Sequence, residues 1–194
     1  MADKKIELTK DLLLGKGNNR ECYVSPKDSY KVIKISISKK SYKNQNIIED
    51  RYYKYLEKNK ISQEHIVKCY GYVDTNLGKG LVFEKIVNYD GTMPTLFSKV
   101  LLEKRVLNTE DLDSLIEELK KYIFNNEILF IDVATSNIFV QEIKKDKFKL
   151  IIFDGLGGIS YFRLLMCLYS KWYKKRAIKK AWSKFLKNIE NKLK

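Results

Sequence analysis

The spacing of apolar residues changes about halfway along this chain of 194 residues, and this change limits its fold more than any other feature. Up to position 87, apolar and β-branched residues form short runs between turn residues, which is typical of strands. From position 88 onwards, apolar positions recur mainly at intervals of three and four, which is typical of amphipathic helices. The pattern predicts an α+β fold with a boundary between residues 1–87 and 88–194.

Within this frame the sequence also predicts individual elements. One helix interrupts the first half near residues 47–56, and another begins at Asn108 or Thr109. The chain is expected to end in helix. The predicted strands cover residues 12–14, 22–24, 30–35, 66–73 and 81–86 in the first half and 128–131, 138–140 and 148–153 in the second.

The composition excludes several classes of protein. Apolar residues make up 44% of the chain, which is typical of a globular protein. The 3 cysteines are widely spaced and odd in number, so a disulfide framework is not expected and a reducing, cytoplasmic compartment is. His65 is the single histidine, which argues against His-rich metal sites and most Ser-His nucleophiles. A secretory signal and a membrane span are not expected either.

Basic residues are concentrated at the end of the chain. The net charge is +14, and residues 171–194 contain ten Lys or Arg against one acidic residue, Glu190. Ile178, Trp182, Phe185, Ile189 and Leu193 form an apolar stripe in the same segment. We favour a final basic amphipathic helix that packs on the second half. The alternatives are an anionic surface at the inner membrane and nucleic acid, which we rank last because a reader motif is missing.

Residues suited to phosphate binding occur in order in the first half. Gly15 and Gly17 lie between two predicted strands, where backbone N–H groups can approach phosphate oxygens closely. Lys34 lies on the third predicted strand, and Glu49 lies on the helix that follows. We expect the Glu49 carboxylate to hold the Lys34 ammonium against nucleotide phosphates. Two glycines between strands are by themselves more often a plain turn.

The second half provides oxygen ligands and a base. Asp132 and Asn137 lie in one loop between short apolar segments, and Asp154 follows the last predicted strand. Magnesium prefers oxygen ligands, so Asn137 and Asp154 are the predicted metal ligands. Asp132 is the predicted catalytic residue that orients or deprotonates an attacking hydroxyl, with Lys34 as its partner on the phosphates. This order of residues favours phosphoryl transfer.

These residues resemble the protein-kinase-like fold, and most closely the bacterial PhoP regulatory network protein YrbL family. The resemblance covers nearly the whole chain. It is carried by residues 14–23, the Lys34 strand, and residues 49–53, 70–71, 89–91, 119–122, 136–138 and 170–182.

The resemblance implies a bilobal fold with a small antiparallel-sheet N-lobe and a minimal, mainly helical C-lobe. It also implies ATP and Mg²⁺ as ligands and a hinge over residues 82–86, where Glu84 and Ile86 would receive the adenine. Arg20 occupies the position of the third glycine of many kinases. It therefore either keeps the loop farther from the nucleotide or contributes a phosphate contact of its own.

Several positions depart from the kinase pattern. Phe130 and Ile131 replace the His-Arg that usually precedes the catalytic Asp, and Ala134 stands where serine/threonine kinases carry a lysine. Gly155 follows Asp154 directly, where kinases carry Phe-Gly after this Asp. Two hypotheses remain open: an ATP-dependent phosphotransferase with a small-molecule or protein hydroxyl acceptor, and a regulatory pseudokinase that contacts a partner.

Overall fold

The computed structural model describes residues 5–37, 44–103, 109–158 and 160–193. The first lobe is built on an antiparallel sheet whose strands are β1 (Leu13–Lys16), β2 (Arg20–Ser25), β3 (Asp28–Ser36), β4 (Cys69–Thr75) and β5 (Gly78–Glu84). Their order is β1-β2-β3-β5-β4. Consecutive strands are joined by tight turns, except that one helix is inserted between β3 and β4.

This helix, α1 (Gln45–Lys58), packs across the sheet. Its start is capped by the side chain of Asn44, which accepts a hydrogen bond from the backbone N–H of Asn46. Tyr52 is fully buried, and the ring of Tyr53 meets that of Phe83 on β5 edge to face, with centroids 5.6 Å apart. The amphipathic spacing therefore attaches α1 to the sheet through aromatic contacts.

The described part of the second lobe combines a small sheet with four helices. Its strands, β6 (Thr95–Leu96), β7 (Ile138–Lys144) and β8 (Lys147–Ile152), form an antiparallel sheet in the order β6-β7-β8. The helices are α2 (Phe97–Glu103), α3 (Thr109–Asn125), α4 (Tyr161–Tyr169) and α5 (Lys171–Leu193). Asn108, the other predicted start of α3, lies outside the described residues. None of the described helices is both long enough and apolar enough to cross a membrane.

The last helix closes the core of the second lobe. Trp182 and Phe185 on α5 are buried, and the Phe185 ring lies 6.1 Å from Phe97 of α2 and 5.9 Å from Phe130, centroid to centroid. The apolar stripe that the sequence predicted on α5 therefore faces the core. Its last member, Leu193, is the exception and is 37% exposed.

One predicted strand is wrong. Residues 128–131 form an irregular buried segment, in which only Phe130 makes an isolated bridge, to Leu156. Side chains and loops satisfy its backbone instead: the Leu129 N–H donates to the Tyr52 hydroxyl at 2.8 Å, and the Ile131 N–H donates to the Gly155 carbonyl at 3.1 Å. A short apolar run indicates that a segment is buried. A buried strand and a buried, hydrogen-bonded loop both meet that condition, so the run alone does not distinguish them.

A second predicted strand starts later than expected. β4 begins at Cys69, because residues 66–67 instead run beside β8 of the other lobe. The Val67 N–H donates to the Ile152 carbonyl at 3.1 Å, and the Ile152 N–H donates to the His65 carbonyl at 2.8 Å. These bonds connect the two lobes next to the cleft.

Candidate functional site

A cavity of about 1090 Å³ lies between the two lobes. The β1–β2 hairpin lines it from above with Gly15, Gly17 and Arg20. The segment after β5 contributes Glu84 and Ile86 at its side, and the second lobe contributes Asp132, Asn137 and Asp154. Nearly all of the sequence-predicted site residues, including Lys34, thus face one cavity. The exception is Glu49, which is 2% exposed and lies behind Lys34 and Arg20.

Lys34 is a buried cation beside the cavity. Its ammonium Nζ donates to the Phe153 carbonyl at 2.7 Å and lies 4.4 Å from the centroid of the Phe83 ring. The nearest described carboxylate oxygens are those of Asp154, at 3.7 Å, and Glu49, at 3.9 Å. Lys34 is therefore held in place by a carbonyl and an aromatic ring, and among the residues that the structure describes no carboxylate is in direct hydrogen-bonding contact with it.

Arg20, rather than Lys34, makes the hydrogen bonds to Glu49. Its guanidinium binds Glu49 through both nitrogens, at 2.5 and 3.2 Å, and also pairs with Asp154. Glu49 also lies within ion-pair distance of Lys34, at 3.9 Å, as the sequence predicted, but its hydrogen bonds go to Arg20. The planar fork of arginine reaches two carboxylates at once. The guanidinium bridges the carboxylates from the two lobes.

This arrangement affects Glu49 and Asp154 in opposite directions. Burial raises the pKa of the Glu49 carboxyl, and the positive charges of Arg20 and Lys34 only partly oppose that effect. Burial also acts to raise the pKa of Asp154, but the charges of Lys34 and Arg20, with a hydrogen bond from the Gly155 N–H, hold that pKa well below its ordinary value. Asp154 is therefore an anion at neutral pH and suits a cation ligand.

Gly155 connects the two loops that form the floor of the cavity, which is the side facing the second lobe. The Gly155 carbonyl accepts from the N–H groups of Ile131 and Asp132, both at 3.1 Å. Gly155 has a φ of +84°, and a Cβ atom there would lie 2.5 Å from the Asp132 carbonyl oxygen. Only glycine fits both the conformation and the space, so the loops of Asp132 and Asp154 depend on it.

Asp132 and Asn137 are linked in this floor. The Asn137 side-chain amide donates to the Asp132 backbone carbonyl at 2.9 Å, which orients the amide nitrogen toward that loop. The Asp132 residue itself is exposed at the mouth of the cavity. A carboxylate in this position can contact a molecule that enters from solvent.

Sequence reasoning did not identify the apolar walls of the cavity. Cys22 and Val32 line it from the sheet side, and Phe139 and Phe153 line it from the second lobe. The two phenylalanine rings stack with centroids 4.1 Å apart. Their signal was present, since Phe139 follows Asn137 by two residues and Phe153 directly precedes Asp154. A flat aromatic base could lie between such walls.

The donor set fits Mg²⁺. Asn137 and Asp154 provide an amide and a carboxylate oxygen on the same side of the cavity, and hard oxygen donors are the ligands that this ion prefers. One Asp154 oxygen accepts from the Gly155 N–H at 2.7 Å and also pairs with Arg20. A bound cation would therefore have to take over the charge that Arg20 now neutralises.

Comparison with solved structures supports the fold. The crystal structure of Rad53 1-466 in complex with AMP-PNP matches 92% of this chain with a TM-score of 0.56 and 17% sequence identity. The chain spans about half of that protein, 48% of its length. This likeness confirms the predicted protein-kinase-like bilobal fold.

Comparison with known sequences identifies relatives over most of the chain. YrbL of Escherichia coli (strain K12) is 26% identical over 183 residues, which cover 93% of this chain and 86% of that protein. YrbL of Shigella flexneri matches to the same extent. The model of the PhoP regulatory network protein YrbL family matches residues 6–190. Because this match takes in both lobes and the cavity between them, the chain belongs to the PhoP regulatory network protein YrbL family.

Proposed function

We propose that this protein is an ATP- and Mg²⁺-dependent phosphotransferase that acts on a hydroxyl-bearing acceptor. The observation that carries the proposal is Lys34, a cation with 7% side-chain exposure beside a cavity that also holds Asp132, Asn137 and Asp154. The closest carboxylates to its ammonium are already paired with Arg20. A buried lysine with spare donors suits the phosphates of a nucleotide.

In this proposal each part of ATP is assigned to a part of the cavity. Val32 and Cys22 on one side and Phe139 on the other would enclose the adenine, and the backbone from Glu84 to Ile86 would bind its edge. Lys34 would bind the phosphates beneath Gly15 and Gly17. The AMP-PNP in the Rad53 structure supports nucleotide binding by this fold.

Asn137 and Asp154 would hold the metal. When bound, Mg²⁺ supplies positive charge that neutralises the phosphate oxygens during transfer. For its part, Asp154 stays ionised under neutral conditions, and the amide of Asn137 is kept in place by Asp132.

Asp132 would act on the acceptor. Its carboxylate takes the proton of the acceptor hydroxyl, whose oxygen forms a bond to the γ-phosphorus of ATP. The bond from that phosphorus to the β–γ bridging oxygen breaks, and ADP leaves with its electron pair. The exposed position of Asp132 gives a small molecule or a protein side chain access to it.

A second function is favoured by one observation. Arg20 pairs with Asp154, so the guanidinium already compensates the charge that a metal ion would compensate. Together with Phe130 and Ile131 before Asp132, this favours a regulatory pseudokinase that keeps the fold and binds a partner. The two functions differ in whether the protein transfers a phosphoryl group, with Asp132 as the residue on which transfer would depend.

Thermal unfolding with ATP and Mg²⁺ tests nucleotide binding. A ligand that binds only the folded state stabilises it, by about 2.7 kcal/mol when present at 100 times its Kd. We expect a ligand-induced rise in Tm for the wild type and none for Lys34→Met or Asp154→Asn. Lys31→Met is the matched control, because Lys31 lies on the same strand but pairs with Asp28 at 3.0 Å.

Asp132→Asn then separates the two functions. For the phosphotransferase, this variant keeps the rise in Tm but loses transfer of labelled γ-phosphoryl groups to acceptors in a cell extract. Wild-type protein that binds ATP without any transfer would identify a pseudokinase. If millimolar ATP produced no rise in Tm, nucleotide binding itself would be excluded.

A further inference from the structure

Helix α4 carries apolar side chains on both of its sides. Leu164 and Cys167 are buried against the second lobe. Phe162, Met166 and Tyr169 follow one another at intervals of four and three on the opposite side and are 72%, 40% and 80% exposed. Residues at this spacing share one helix face. We call Phe162, Met166 and Tyr169, together with Trp172, the aromatic stripe, since all of them except Met166 are aromatic.

The stripe leads directly into α5. The Ser170 N–H donates to the Met166 carbonyl at 3.0 Å at the end of α4, and the Lys174 N–H donates to the Ser170 carbonyl at 2.9 Å in the first turn of α5. Ser170 itself is extended and interrupts the helix, so the two helices are joined by a single residue. Trp172 comes three residues after Tyr169, is 68% exposed, and lies with its ring 5.5 Å from the Arg176 guanidinium carbon. The aromatic stripe is thus adjacent to positive charge.

The outward surface of α5 is strongly basic. Its inward face is occupied by the buried Ile178, Trp182, Phe185 and Ile189, and Glu190 is its single acidic residue. Exposed basic side chains cover the other side from the aromatic stripe onward, including Lys171, Lys175, Arg176, Lys179, Lys180 and Lys184.

We propose that the aromatic stripe and this basic face bind the surface of an anionic lipid bilayer. A contiguous patch of exposed apolar side chains marks an interaction site, and aromatic residues beside lysines and arginines suit the boundary between acyl chains and charged headgroups. The aromatic side chains enter the interface while Lys and Arg remain at headgroup level. The protein is then peripheral to the membrane, whether or not the cleft transfers phosphate.

The basic charge and the exposed apolar side chains together favour lipid over other occupants. A second copy binding through the same symmetric patch would place basic residues against their own counterparts, which opposes association. Duplex nucleic acid would use the basic residues through its phosphates but would leave Phe162 and Met166 in water. An anionic bilayer satisfies both the charge and the apolar side chains.

Vesicle co-sedimentation with the full chain tests the proposal. The vesicles contain phosphatidylcholine alone, or phosphatidylcholine and phosphatidylglycerol in equal parts. We expect at least tenfold stronger binding to the anionic vesicles, with a blue shift of Trp172 emission; Trp182 is only 7% exposed and should change little. Phe162→Ser with Tyr169→Ser, and separately Arg176→Glu with Lys179→Glu and Lys180→Glu, should each lower binding at least tenfold.

Matched controls distinguish this surface from nonspecific attraction. Tyr30→Ser removes a 68% exposed aromatic ring from the other lobe, and Lys144→Glu with Lys145→Glu and Lys147→Glu reverses exposed charges on the β7–β8 turn. Both should bind like the wild type. Binding that survives loss of Phe162 and Tyr169, or that the turn variant loses equally, would overturn the proposal. So would an oligonucleotide complex or a dimer formed through this face without vesicle binding.

Discussion

At the scale of single residues, Arg20 changes the electrostatics of the cleft most. It stands on β2 at a position where the kinase pattern has glycine, and its guanidinium neutralises Glu49 from one lobe and Asp154 from the other. Glu49 is 2% exposed, and a buried carboxylate without a close cation is costly. Arg20 therefore stabilises the contact between the two lobes.

A double-mutant cycle on Arg20 and Glu49 should show strong coupling. We expect Arg20→Gln to destabilise the fold by about 3 kcal/mol, because it leaves the buried Glu49 carboxyl without its hydrogen-bonded cation. The double variant with Glu49→Gln should recover part of this loss, giving a coupling of about 1–3 kcal/mol in urea unfolding. The exposed pair of Lys54 and Asp50 is the control, with an expected coupling of about 0.5 kcal/mol. Additive effects at Arg20 and Glu49 would contradict this account.

At the scale of elements, the irregular segment at residues 128–131 depends on α1. Its Leu129 N–H has the Tyr52 hydroxyl as its acceptor, and both residues are fully buried. Because the same segment leads into Asp132, the position of the floor of the cleft depends on a side chain from the other lobe.

Tyr52→Phe should therefore destabilise the protein by about 1–3 kcal/mol, since the buried Leu129 N–H loses its acceptor. Chemical denaturation measures this directly, and hydrogen exchange at Leu129 should accelerate. Tyr89→Phe is the control, because that side chain is 54% exposed and its loss should be nearly neutral. Equal stability of Tyr52→Phe and the wild type would show that the segment does not need this bond.

At the scale of the whole molecule, Lys174 connects three elements. Its ammonium on α5 lies 2.5 Å from the Glu127 carboxylate, which follows α3, and 3.3 Å from the Tyr55 hydroxyl of α1. The hydrogen bond from Lys174 lowers the pKa of Glu127. Burial acts to lower the pKa of Lys174, but its bonds to Glu127 and Tyr55 raise that pKa above its ordinary value.

These shifts predict a pH dependence. Since the folded pKa of Glu127 is lowered, its contribution is complete above the ordinary carboxyl pKa of about 4.3 and is lost as pH falls through the folded pKa. The Lys174 contribution is complete below about pH 10 and is lost above it. The free energy of unfolding of the wild type should exceed that of Glu127→Gln by about 1 kcal/mol at neutral pH, and this difference should vanish in acid. A constant difference in unfolding free energy at every pH would refute the pairing.

Much of the fold could be predicted because its signals are local. Alternating and helical spacings indicated the five strands of the first lobe and α1, and the order of Gly15, Lys34, Asp132, Asn137 and Asp154 indicated one cleft. The short α2 and β6 were missed, since brief elements carry little periodicity. The break between α4 and α5 was missed as well, because apolar and basic residues continue on both sides of Ser170.

The sequence by itself determined the class of fold and the chemical groups of the cleft, because strand and helix periods and the order of functional residues are properties of neighbours along the chain. Only the tertiary structure decided which cation meets which carboxylate. Arg20 lies 29 positions from Glu49 and 134 from Asp154 along the chain, and no local pattern encodes such pairs. Packing between elements likewise decided that Phe139 stacks on Phe153 and that the apolar face of α5 contacts the core rather than another surface.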